Sequence, residues 1–362
     1  MRWQHRVKVR VLSRYGRTGA SSRLRFMSYE AALRDAGVTM EVMPLFDDEY
    51  IDALYGRRSK GRQAAAGYAR RLRDMLSPGD VDLLWIQSEA LPWVPWAIEQ
   101  RLLPAGLPRV IDCDDAIFHR YDGHGSSIVR KLLGRKIDKS YANASLVTAG
   151  NSYLAERARA AGAPNVAIIP TVVDLGRYPE AKKSDGFNRP VIGWIGTPNT
   201  WAEYIEPKID LLQTIARENG ATVRGIGAPA TSIENVETIA WSEEGEGELI
   251  ANCDIGIMPL SDAPFARGKC GYKLIQFMAC GLPVIASPVG VNNEIVEHGV
   301  NGFLAETDRE WAHYLSILTA DSELRLQMGM AGRKKVESEF SLQVWGGRLS
   351  NLLVDAADPP AL

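Results

Sequence analysis

The order of apolar and polar positions predicts strands that alternate with helices along most of the chain. Short apolar runs such as VKVRVL at 7–12 and VDLLWIQ at 81–87 are separated by longer segments with helical spacing, the first from about Ser22 to Ala36. Further strand-like runs are VTMEVMPL, RVIDC, SLVTAG, VAIIP, PVIGWIG, ATVRGIG, CDIGIMPL, LPVIASP and NGFLAE. This alternation is typical of parallel sheets with crossover helices, so we expect an α/β fold.

A polar stretch at 174–190, DLGRYPEAKKSDGFNRP, interrupts the alternation, which restarts after it. A chain of 362 residues also favours two domains over one. We expect Rossmann-like, doubly wound domains at 1–180 and 186–340, with the C-terminal helix in 341–362 packing back on the first. Because ligands bind beyond the carboxyl ends of parallel strands, the two sheets are expected to face an interdomain cleft.

Charge is distributed unevenly, although the net charge is only −2. Residues 1–180 carry 27 Lys and Arg against 20 Asp and Glu, and the remainder carries 15 against 24. Basic clusters at 56–74 and 130–139 suit an anionic membrane surface, and they suit solvated helix faces equally well. No recognised nucleic-acid-binding motif accompanies them, so nucleic acid is not an expected partner.

Neither a signal peptide nor a long apolar span is evident, so we expect a cytoplasmic protein, peripheral at the inner membrane face if the basic clusters meet lipid. The four cysteines have no metal-ligand spacing and are expected to be reduced and mostly buried.

The segment FARGKCGYKLIQFMACGLPVIASP at 265–288 gathers three cations at an expected helix start. Arg267, Lys269 and Lys273 surround Gly268 and Gly271, and YKLIQFMA has helical spacing. A helix start already carries roughly half a positive charge, so each added cation costs about 0.3–1 kcal/mol there. A bound anion offsets that cost, and the glycines allow backbone N–H groups to approach it. The segment therefore predicts a phosphate site.

The second half of the chain resembles the retaining family 4 glycosyltransferases of the glycosyl transferases group 1, which have a GT-B fold. The resemblance is carried by CDIGIMPL, KCGYKLIQFMACGLPVIASPVGVNNEIVEHGVNGFLAE and ELRLQMGMAGRKKVESEFS, and more loosely by GASSRLRFMSYEAALRDAGV and IIPTVVD in the first half. It implies transfer of a sugar from a nucleotide-diphosphate donor with retained anomeric configuration. No cofactor or metal is implied.

Two departures from the family pattern bear on the donor site. The family's paired glutamates fall on Gly268 and Gln276, and Thr197 stands where arginine is common. We expect Arg267, Lys269 and Lys273 to supply the charge that holds the diphosphate.

Other donor-side candidates lie in the loops that follow strands of the second domain. Lys273 and Gln276 lie three residues apart on one helix, so we expect both to face the diphosphate and ribose; a surface lysine and a capping glutamine are the alternative. The expected donor-binding residues are Gly268, Gly271, Tyr272, Gln276, Thr197, Asn199, Val291, Asn292 and Glu294. Turn formation and helix capping explain Thr197, Asn199 and Glu294 equally well.

Acceptor-side candidates follow strands of the first domain. The loop after the first strand contains Gly16, Gly19, Ala20 and Ser21. Its small residues allow a phosphate or an acceptor to approach the backbone. The alternative is an ordinary turn in which a serine caps the helix. Arg23 and Arg25 reach either a phosphate-bearing acceptor or solvent.

The run VIDCDDAIFHRY adds Asp112, Asp114, Asp115 and His119. The aspartates either bind the acceptor or cap a loop. A third alternative, that they hold a metal-bound nucleotide, fits a two-domain fold of this kind less well. His119 either orients an acceptor hydroxyl or is structural. Glu89 is a weaker acceptor-side candidate.

The pattern and the resemblance together indicate a hexosyltransferase acting on a glycan, lipid-linked or small-molecule acceptor in cell-surface polysaccharide or glycoconjugate synthesis. Arg267, Lys269, Lys273 and His119 are the candidate catalytic residues. A non-catalytic homologue that binds nucleotide sugars or glycans, and a nucleotide-sugar epimerase of the same fold, are the alternatives. An oxidoreductase fits less well, because GxGxxG with a following acidic residue is absent.

Overall fold

The computed structural model describes residues 6–55, 59–77, 79–181 and 189–358. Parts of the basic cluster at 56–74, of the polar stretch at 174–190 and of the C-terminal segment at 341–362 lie outside these ranges. The strands are β1 (Val7–Tyr15), β2 (Val38–Phe46), β3 (Leu83–Gln87), β4 (Arg109–Cys113), β5 (Leu146–Ala149), β6 (Val166–Ile168), β7 (Val191–Ile195), β8 (Thr222–Ile226), β9 (Val236–Ile239), β10 (Ile255–Met258), β11 (Val284–Ala286) and β12 (Gly302–Leu304).

The helices connect these strands in the expected alternating order. They are α1 (Ala20–Arg25), α2 (Glu30–Asp35), α3 (Asp48–Tyr55), α4 (Gly61–Leu76), α5 (Trp96–Leu102), α6 (His119–Asp122), α7 (Ser127–Leu133), α8 (Lys136–Ala142), α9 (Ser152–Ala160), α10 (Pro198–Tyr204), α11 (Ile209–Glu218), α12 (Glu246–Ala251), α13 (Pro264–Arg267), α14 (Tyr272–Ala279), α15 (Asn292–Ile295), α16 (Asp308–Ala320), α17 (Ser322–Glu339) and α18 (Leu342–Ala357).

The chain divides into two compact units. The first comprises Met1–Thr171, Gly268–Cys270 and Trp345–Leu362, and the second comprises Val172–Arg267 and Gly271–Val344. The short segment 268–270 thus belongs to the first unit, although both of its neighbours in sequence belong to the second.

The first unit is built on a six-stranded parallel sheet in the order β2-β1-β3-β4-β5-β6. Because β2 and β3 lie on opposite sides of β1, the strand order reverses between β1 and β3. Ligands of such sheets bind beyond the carboxyl ends of the strands at this switch point. In the first unit, the loops that begin after Tyr15 and Gln87 meet there.

The second unit is built on a six-stranded parallel sheet in the order β12-β11-β10-β7-β8-β9. Its switch point lies between β7 and β10. Residues that alternate along the strands belong to two separate apolar clusters: Ile285 packs with one, and its neighbours Val284 and Ala286 pack with the other. Since successive side chains of a strand point to opposite faces, both faces of this sheet are buried.

The expected α/β fold with two parallel-sheet units is confirmed, and two local expectations are wrong. The helix expected from Ser22 to Ala36 is broken, because Phe26 leaves the helical region with φ −125° and ψ −63° and a 3₁₀ turn follows at Met27–Tyr29. Strand β9 was not expected, since VETI is short and carries an exposed glutamate.

Candidate functional sites

Lys273 lies at the switch point of the second sheet. Its ammonium is 4.8 Å from the centroid of the Trp194 ring, in a cation–π contact that fixes the side chain at the end of β7. The next residue after β7 is Gly196, and a Cβ added there would lie 2.7 Å from the Lys273 Nζ. A positive charge is thus held where Rossmann-like sheets receive ligands.

Helix α14 begins immediately after a glycine in the left-handed region. Gly271 has φ +63°, and a Cβ at this position would lie 2.2 Å from the Ile295 Cδ1, so both the backbone and the space favour glycine. Tyr272 is the first residue of the helix. The first backbone N–H groups of α14 and its positive dipole end therefore follow directly from Gly271.

Arg267 and Lys269 have other surroundings. Arg267 ends α13 and makes a bidentate ion pair with Asp262, at 2.7 and 2.8 Å. This pair is exposed, so it contributes little to stability and leaves the guanidinium within reach of solvent. Lys269 belongs to the first unit, where its charge acts on Asp115. The three expected cations are therefore divided between the two units.

Position 268, where the family pattern has one of its glutamates, is closely packed. It is buried in the first unit, and a Cβ would lie 2.5 Å from the Ala116 Cβ and 2.8 Å from the Ala116 N. Asn151 donates to the carbonyl oxygens of Gly268 and Lys269, at 3.1 and 3.0 Å. No side chain fits at position 268 unless this backbone moves.

Gln276 and Lys273 do not share surroundings, although they lie three residues apart. Gln276 is only 2% exposed, and its Nε2 donates to the Tyr178 hydroxyl at 3.1 Å. Tyr178 in turn donates to the buried Glu246 carboxylate, and its hydroxyl lies 3.1 Å from that of Tyr272. Gln276 is thus part of an internal hydrogen-bond network, while Lys273 lies against Trp194.

The remaining donor-side candidates surround the same sheet edge. Thr197 caps α10 in a reciprocal arrangement with Thr200, and Asn199 is exposed. Val291 and Asn292 are buried, and Asn292 donates to the Ser287 carbonyl at 3.0 Å. The exposed Glu294 accepts a hydrogen bond from the Lys335 ammonium through its backbone carbonyl, at 2.7 Å.

The loop after β1 is fastened by a glutamine from the end of β3. The Gln87 side-chain oxygen accepts from the Arg14 N–H and the Ser22 hydroxyl, both at 2.8 Å, and its amide donates to Ser21 at 2.9 Å. Ser21 and Ser22 therefore bind Gln87, and neither caps α1, whose first flanking residue is Gly19.

The two glycines of this loop are in close contact with their neighbours. A Cβ at Gly16 would lie 2.9 Å from the Asp48 Oδ1, and one at Gly19 would lie 2.3 Å from the Tyr15 Cβ. Ala20 is exposed at the start of α1. The loop at the switch point of the first sheet is therefore closely packed against Tyr15 and Asp48.

Asp112 and Arg25 form a structural pair. Arg25 binds both oxygens of Asp112, at 3.0 and 2.7 Å, and also donates to the Ile169 carbonyl at 2.7 Å. Thr148 donates to the same carboxylate at 2.7 Å. Arg25 is 3% exposed, so it reaches neither solvent nor a phosphate-bearing acceptor in this conformation.

Asp114 and Asp115 follow β4 at the same sheet edge. Burial, with the neighbouring charges of Asp115 and Asp112, raises the pKa of Asp114 to about 7. Burial also raises the pKa of Asp115, and the positive charges of Lys269, Arg120 and Arg14 oppose that rise. Carboxyls with raised pKa values beside several cations are typical of ligand-binding edges, as well as of structural ion networks.

His119 and Glu89 are both held by neighbours. The His119 Nδ1 lies 2.9 Å from the Asp122 carboxylate and its Nε2 lies 2.8 Å from the Tyr153 hydroxyl, so both ring nitrogens have partners. Glu89 is buried, and it accepts hydrogen bonds from the Lys136 ammonium at 2.7 Å and the Tyr121 hydroxyl at 2.9 Å. An acceptor that reaches either residue must exchange these contacts.

Within the described ranges, no group of three or more His, Cys, Asp or Glu is placed to hold a metal ion. Over the same part of the chain, no helix has the length and apolar character needed to span a bilayer. The four cysteines are free thiols, and Cys113, Cys253 and Cys280 are buried, as expected from the sequence.

Several residues of these sites were missed in the sequence. Trp241, Glu246 and Tyr178 form one hydrogen-bonded group in the second unit, and Arg14 and Lys136 contribute to the charge network of the first. The sequence offered only the tryptophan and acidic residues of AWSEEGE, which follow a strand that the apolar pattern did not reveal.

Comparison with known proteins identifies the fold and a family segment. Residues 189–321 match the family model described as Glycosyl transferases group 1. N-acetyl-alpha-D-glucosaminyl L-malate synthase of Bacillus anthracis is 31% identical over 110 residues, which are 30% of this chain and 28% of that protein. D-inositol 3-phosphate glycosyltransferase of Thermobispora bispora is 26% identical over 201 residues, 54% of this chain and 41% of that protein.

Among solved structures, Anabaena HepE in complex with UDP and glucose matches with a TM-score of 0.71 and 18% identity, over 96% of this chain and 100% of that chain. This likeness confirms the GT-B fold class. The matched segments span between 11% and 41% of the lengths of the curated relatives. Residues 189–321 therefore carry a glycosyl transferases group 1 segment within a GT-B fold, and these relatives support a glycosyltransferase.

Proposed function

We propose that the protein is a retaining, metal-independent glycosyltransferase that moves a hexose from a nucleotide-diphosphate donor to a glycan, lipid-linked or small-molecule acceptor. The group 1 segment covers most of the second unit, and solved structures with the same fold contain UDP or UDP-glucose. We assign the donor to the second unit and the acceptor to the first.

The observation that carries this proposal is the position of Lys273. Its ammonium lies at the switch point of the second sheet, beside Gly196, and helix α14 begins one residue before it. Negative charge develops on the diphosphate as the glycosidic bond breaks. A fixed cation and the positive end of a helix stabilise such a charge, and removing one such donor typically costs about 10²–10³-fold in turnover.

The remaining candidates take roles that follow from their positions. Arg267 adds charge for the diphosphate in the second unit, and Lys269 adds charge beside Asp115 in the first. The donor-side loops at 197–199 and 291–294 border the sugar and nucleotide. The loop with Gly16, Gly19, Ala20 and Ser21, together with Asp114, Asp115 and His119, binds the acceptor in the first unit. The departing phosphate oxygen accepts the acceptor's proton on the same face, which gives retention.

The test is release of nucleotide from a panel of UDP, GDP and ADP sugars with candidate acceptors, in buffer containing EDTA. We expect Lys269→Ala and Lys273→Ala each to lower kcat by roughly 10²-fold or more. Lys334→Ala, which removes an exposed lysine from α17, is the matched control and should retain normal turnover. Normal turnover in both folded lysine variants would contradict the proposed roles, and inverted product stereochemistry would exclude retention.

The two alternatives give different results in the same assay. A non-catalytic homologue binds a nucleotide sugar and releases no nucleotide with any acceptor. An epimerase converts the donor sugar without an acceptor. Loss of turnover in EDTA that is restored by a divalent cation would instead show that a metal takes part.

The proposed partner is an anionic membrane surface, which brings a lipid-linked acceptor to the first unit. The proposed location is the inner membrane face, and the proposed process is polysaccharide or glycoconjugate synthesis. Helix α7 supports this location. Its Ile128 and Leu132, one turn apart, are 67% and 60% exposed, beside the exposed Arg130 and Lys131. Exposed apolar side chains flanked by cations are typical of helices that lie on anionic lipid.

A further inference from the structure

Three consecutive residues of the first unit come from a distant part of the chain. The segment Gly268–Cys270 belongs to this unit, whose other parts are Met1–Thr171 and Trp345–Leu362. Each of its three residues is fastened by a residue that follows β4 or β5, which are neighbouring strands of the first sheet. Ligands bind beyond the carboxyl edge of a parallel sheet, so this fastening bears on the candidate site.

The side chain of Asn151 binds this segment and caps a helix at the same time. Asn151 is only 2% exposed, and its Nδ2 donates to the carbonyl oxygens of Gly268 and Lys269, at 3.1 and 3.0 Å. Its Oδ1 accepts from the Leu154 N–H at the start of α9, at 2.9 Å. Aspartate and serine cap helices about as well as asparagine does, but neither has the two N–H groups of an amide. Capping alone therefore does not require asparagine here.

The last residue of the segment is held by its thiol. The Cys270 Sγ lies 2.8 Å from the Asp114 carbonyl oxygen. Burial raises the pKa of the Cys270 thiol, so the thiol is protonated and donates this hydrogen bond. A Cβ at Gly150 would lie 2.5 Å from the Cys270 Sγ, so a larger residue at position 150 would displace the thiol. The first unit therefore accommodates the segment closely.

The fastened segment brings the charge of Lys269 to the first sheet. Burial raises the pKa of Asp115, which follows β4, and the positive charge of Lys269 is the largest influence that opposes this rise. Lys269 lies 118 residues after Asn151 in the sequence, so its place in the first unit depends on how the segment is held. The contact with Asn151 is made by the lysine's own backbone carbonyl.

We propose that Asn151 is a positioning residue, which holds the backbone of Lys269 so that the lysine charge stays beside Asp115 at the carboxyl edge of the first sheet. This inference rests on the proposed function, in which Asp115 belongs to the acceptor site. Without the Asn151 amide, the segment loses two of the three hydrogen bonds described above. Lys269 is then no longer fixed at the acceptor site.

The first experiment is digestion of the folded full chain with endoproteinase Lys-C, which cleaves after lysine. Asn151→Asp keeps a cap on α9 and removes both N–H donors, so it should accelerate cleavage after Lys269 by roughly 5–150-fold, the usual net effect of losing two hydrogen bonds. Asn143→Asp is the matched control, because the exposed Asn143 donates to another lysine carbonyl, that of Lys139, at 2.8 Å. It should leave cleavage after Lys269 unchanged. Cleavage after Lys131, an exposed lysine of the same unit, reports general unfolding and should not change in either variant.

The second experiment is a double-mutant cycle on turnover, with the nucleotide sugar and the acceptor that the panel identifies. Asn151→Asp should lower kcat by at least about fivefold, and by no more than Lys269→Ala does. The double variant Asn151→Asp/Lys269→Ala should be no slower than Lys269→Ala, because Asn151 acts through Lys269. A purely structural role of Asn151 would instead give losses that add.

The outcomes separate this inference from the proposed function. If Lys-C cleaves Asn151→Asp after Lys269 no faster than it cleaves the wild type, Asn151 does not hold the segment and the inference is refuted. Additive losses in the cycle, or normal kcat in Asn151→Asp, would also refute it and would leave the transferase proposal standing. A wild type that transfers no sugar contradicts the proposed function, and the digestion still decides whether Asn151 holds the segment. Should Asn151→Asp not fold, Asn151→Ser, which also caps helices and lacks the amide, replaces it in both experiments.

Discussion

Replacing Lys136 by methionine tests how the buried charges of the first unit are balanced. The Lys136 side chain is 0% exposed, and its ammonium lies 2.7 Å from Glu89 and 2.9 Å from Glu99, whose side chains are 2% and 1% exposed. Methionine keeps most of the apolar stem and removes the charge. Two buried carboxylates then remain, with Arg14 at 3.8 Å from Glu89 as their nearest ion-pair partner in the described chain.

Removing one partner of a buried ion pair typically costs about 3–5 kcal/mol, because the charge left behind is no longer compensated. The two units need not unfold together, so the assay must resolve the first unit alone. Hydrogen exchange followed by mass spectrometry does this through the amides of β3 and β4. We expect their exchange at pH 7.5 to accelerate by about 10²·²–10³·⁷-fold, at about 1.36 kcal/mol per factor of ten.

The pH dependence identifies the cause. Burial raises the pKa of Glu99 in the wild type, and Lys136 opposes that rise, so the variant should raise the pKa further. A carboxyl with a raised pKa in the folded state loses stability as pH rises from its unfolded pKa to its folded pKa. The stability that Lys136→Met loses relative to the wild type should therefore be largest near pH 7.5 and smaller towards pH 5.

Two further variants complete the test. Lys139→Met removes an exposed lysine from the same helix and should change stability by no more than about 0.5 kcal/mol. The double variant Lys136→Met/Glu99→Gln should recover part of the loss. Unchanged exchange in Lys136→Met at pH 7.5, or a deficit that is constant between pH 5 and 8, would refute the reasoning.

Two predictions remain. Since the pKa of Asp114 is raised to about 7, its ionisation destabilises the first unit as pH rises from about 4 to 7. Asp114→Asn should lack this loss of stability, so the variant should exceed the wild type in urea denaturation by more at pH 8 than at pH 5. Parallel stability profiles of the two proteins would contradict the assignment. The double variant Ile128→Ser/Leu132→Ser should sediment less than the wild type with phosphatidylglycerol vesicles. Neutral phosphatidylcholine vesicles should bind neither the wild type nor the variant. If the variant binds anionic vesicles as well as the wild type does, α7 is not the contact.

The alternation of strands and helices could be read from the sequence because buried parallel strands appear as short apolar runs. RVIDC at 109–113 coincides with β4, whereas VETI gave no such signal. The break in the helix at Phe26 could not be predicted from the sequence either, because no helix-breaking residue marks it. It is seen only in the backbone conformation at the end of α1.

The candidate site could be predicted only as a region. The glycine and lysine pattern indicated the start of α14 within one residue. The side-chain partners, however, come from distant parts of the chain: Gln276 meets Tyr178, 98 residues earlier, and Arg25 meets Asp112, 87 residues later. Helical spacing places two residues on one face, but it does not reveal which neighbour each one meets.

The division of the chain between the two units has a consequence for biosynthesis. The first unit includes Trp345–Leu362, with most of α18, and also the segment Gly268–Cys270. At about 5–20 residues per second, a ribosome that has passed Thr171 needs roughly 9–35 s more to reach Trp345. The second unit is complete before that point. During translation, the unit that is synthesised first is therefore completed last, and its nascent chain must avoid aggregation until α18 emerges.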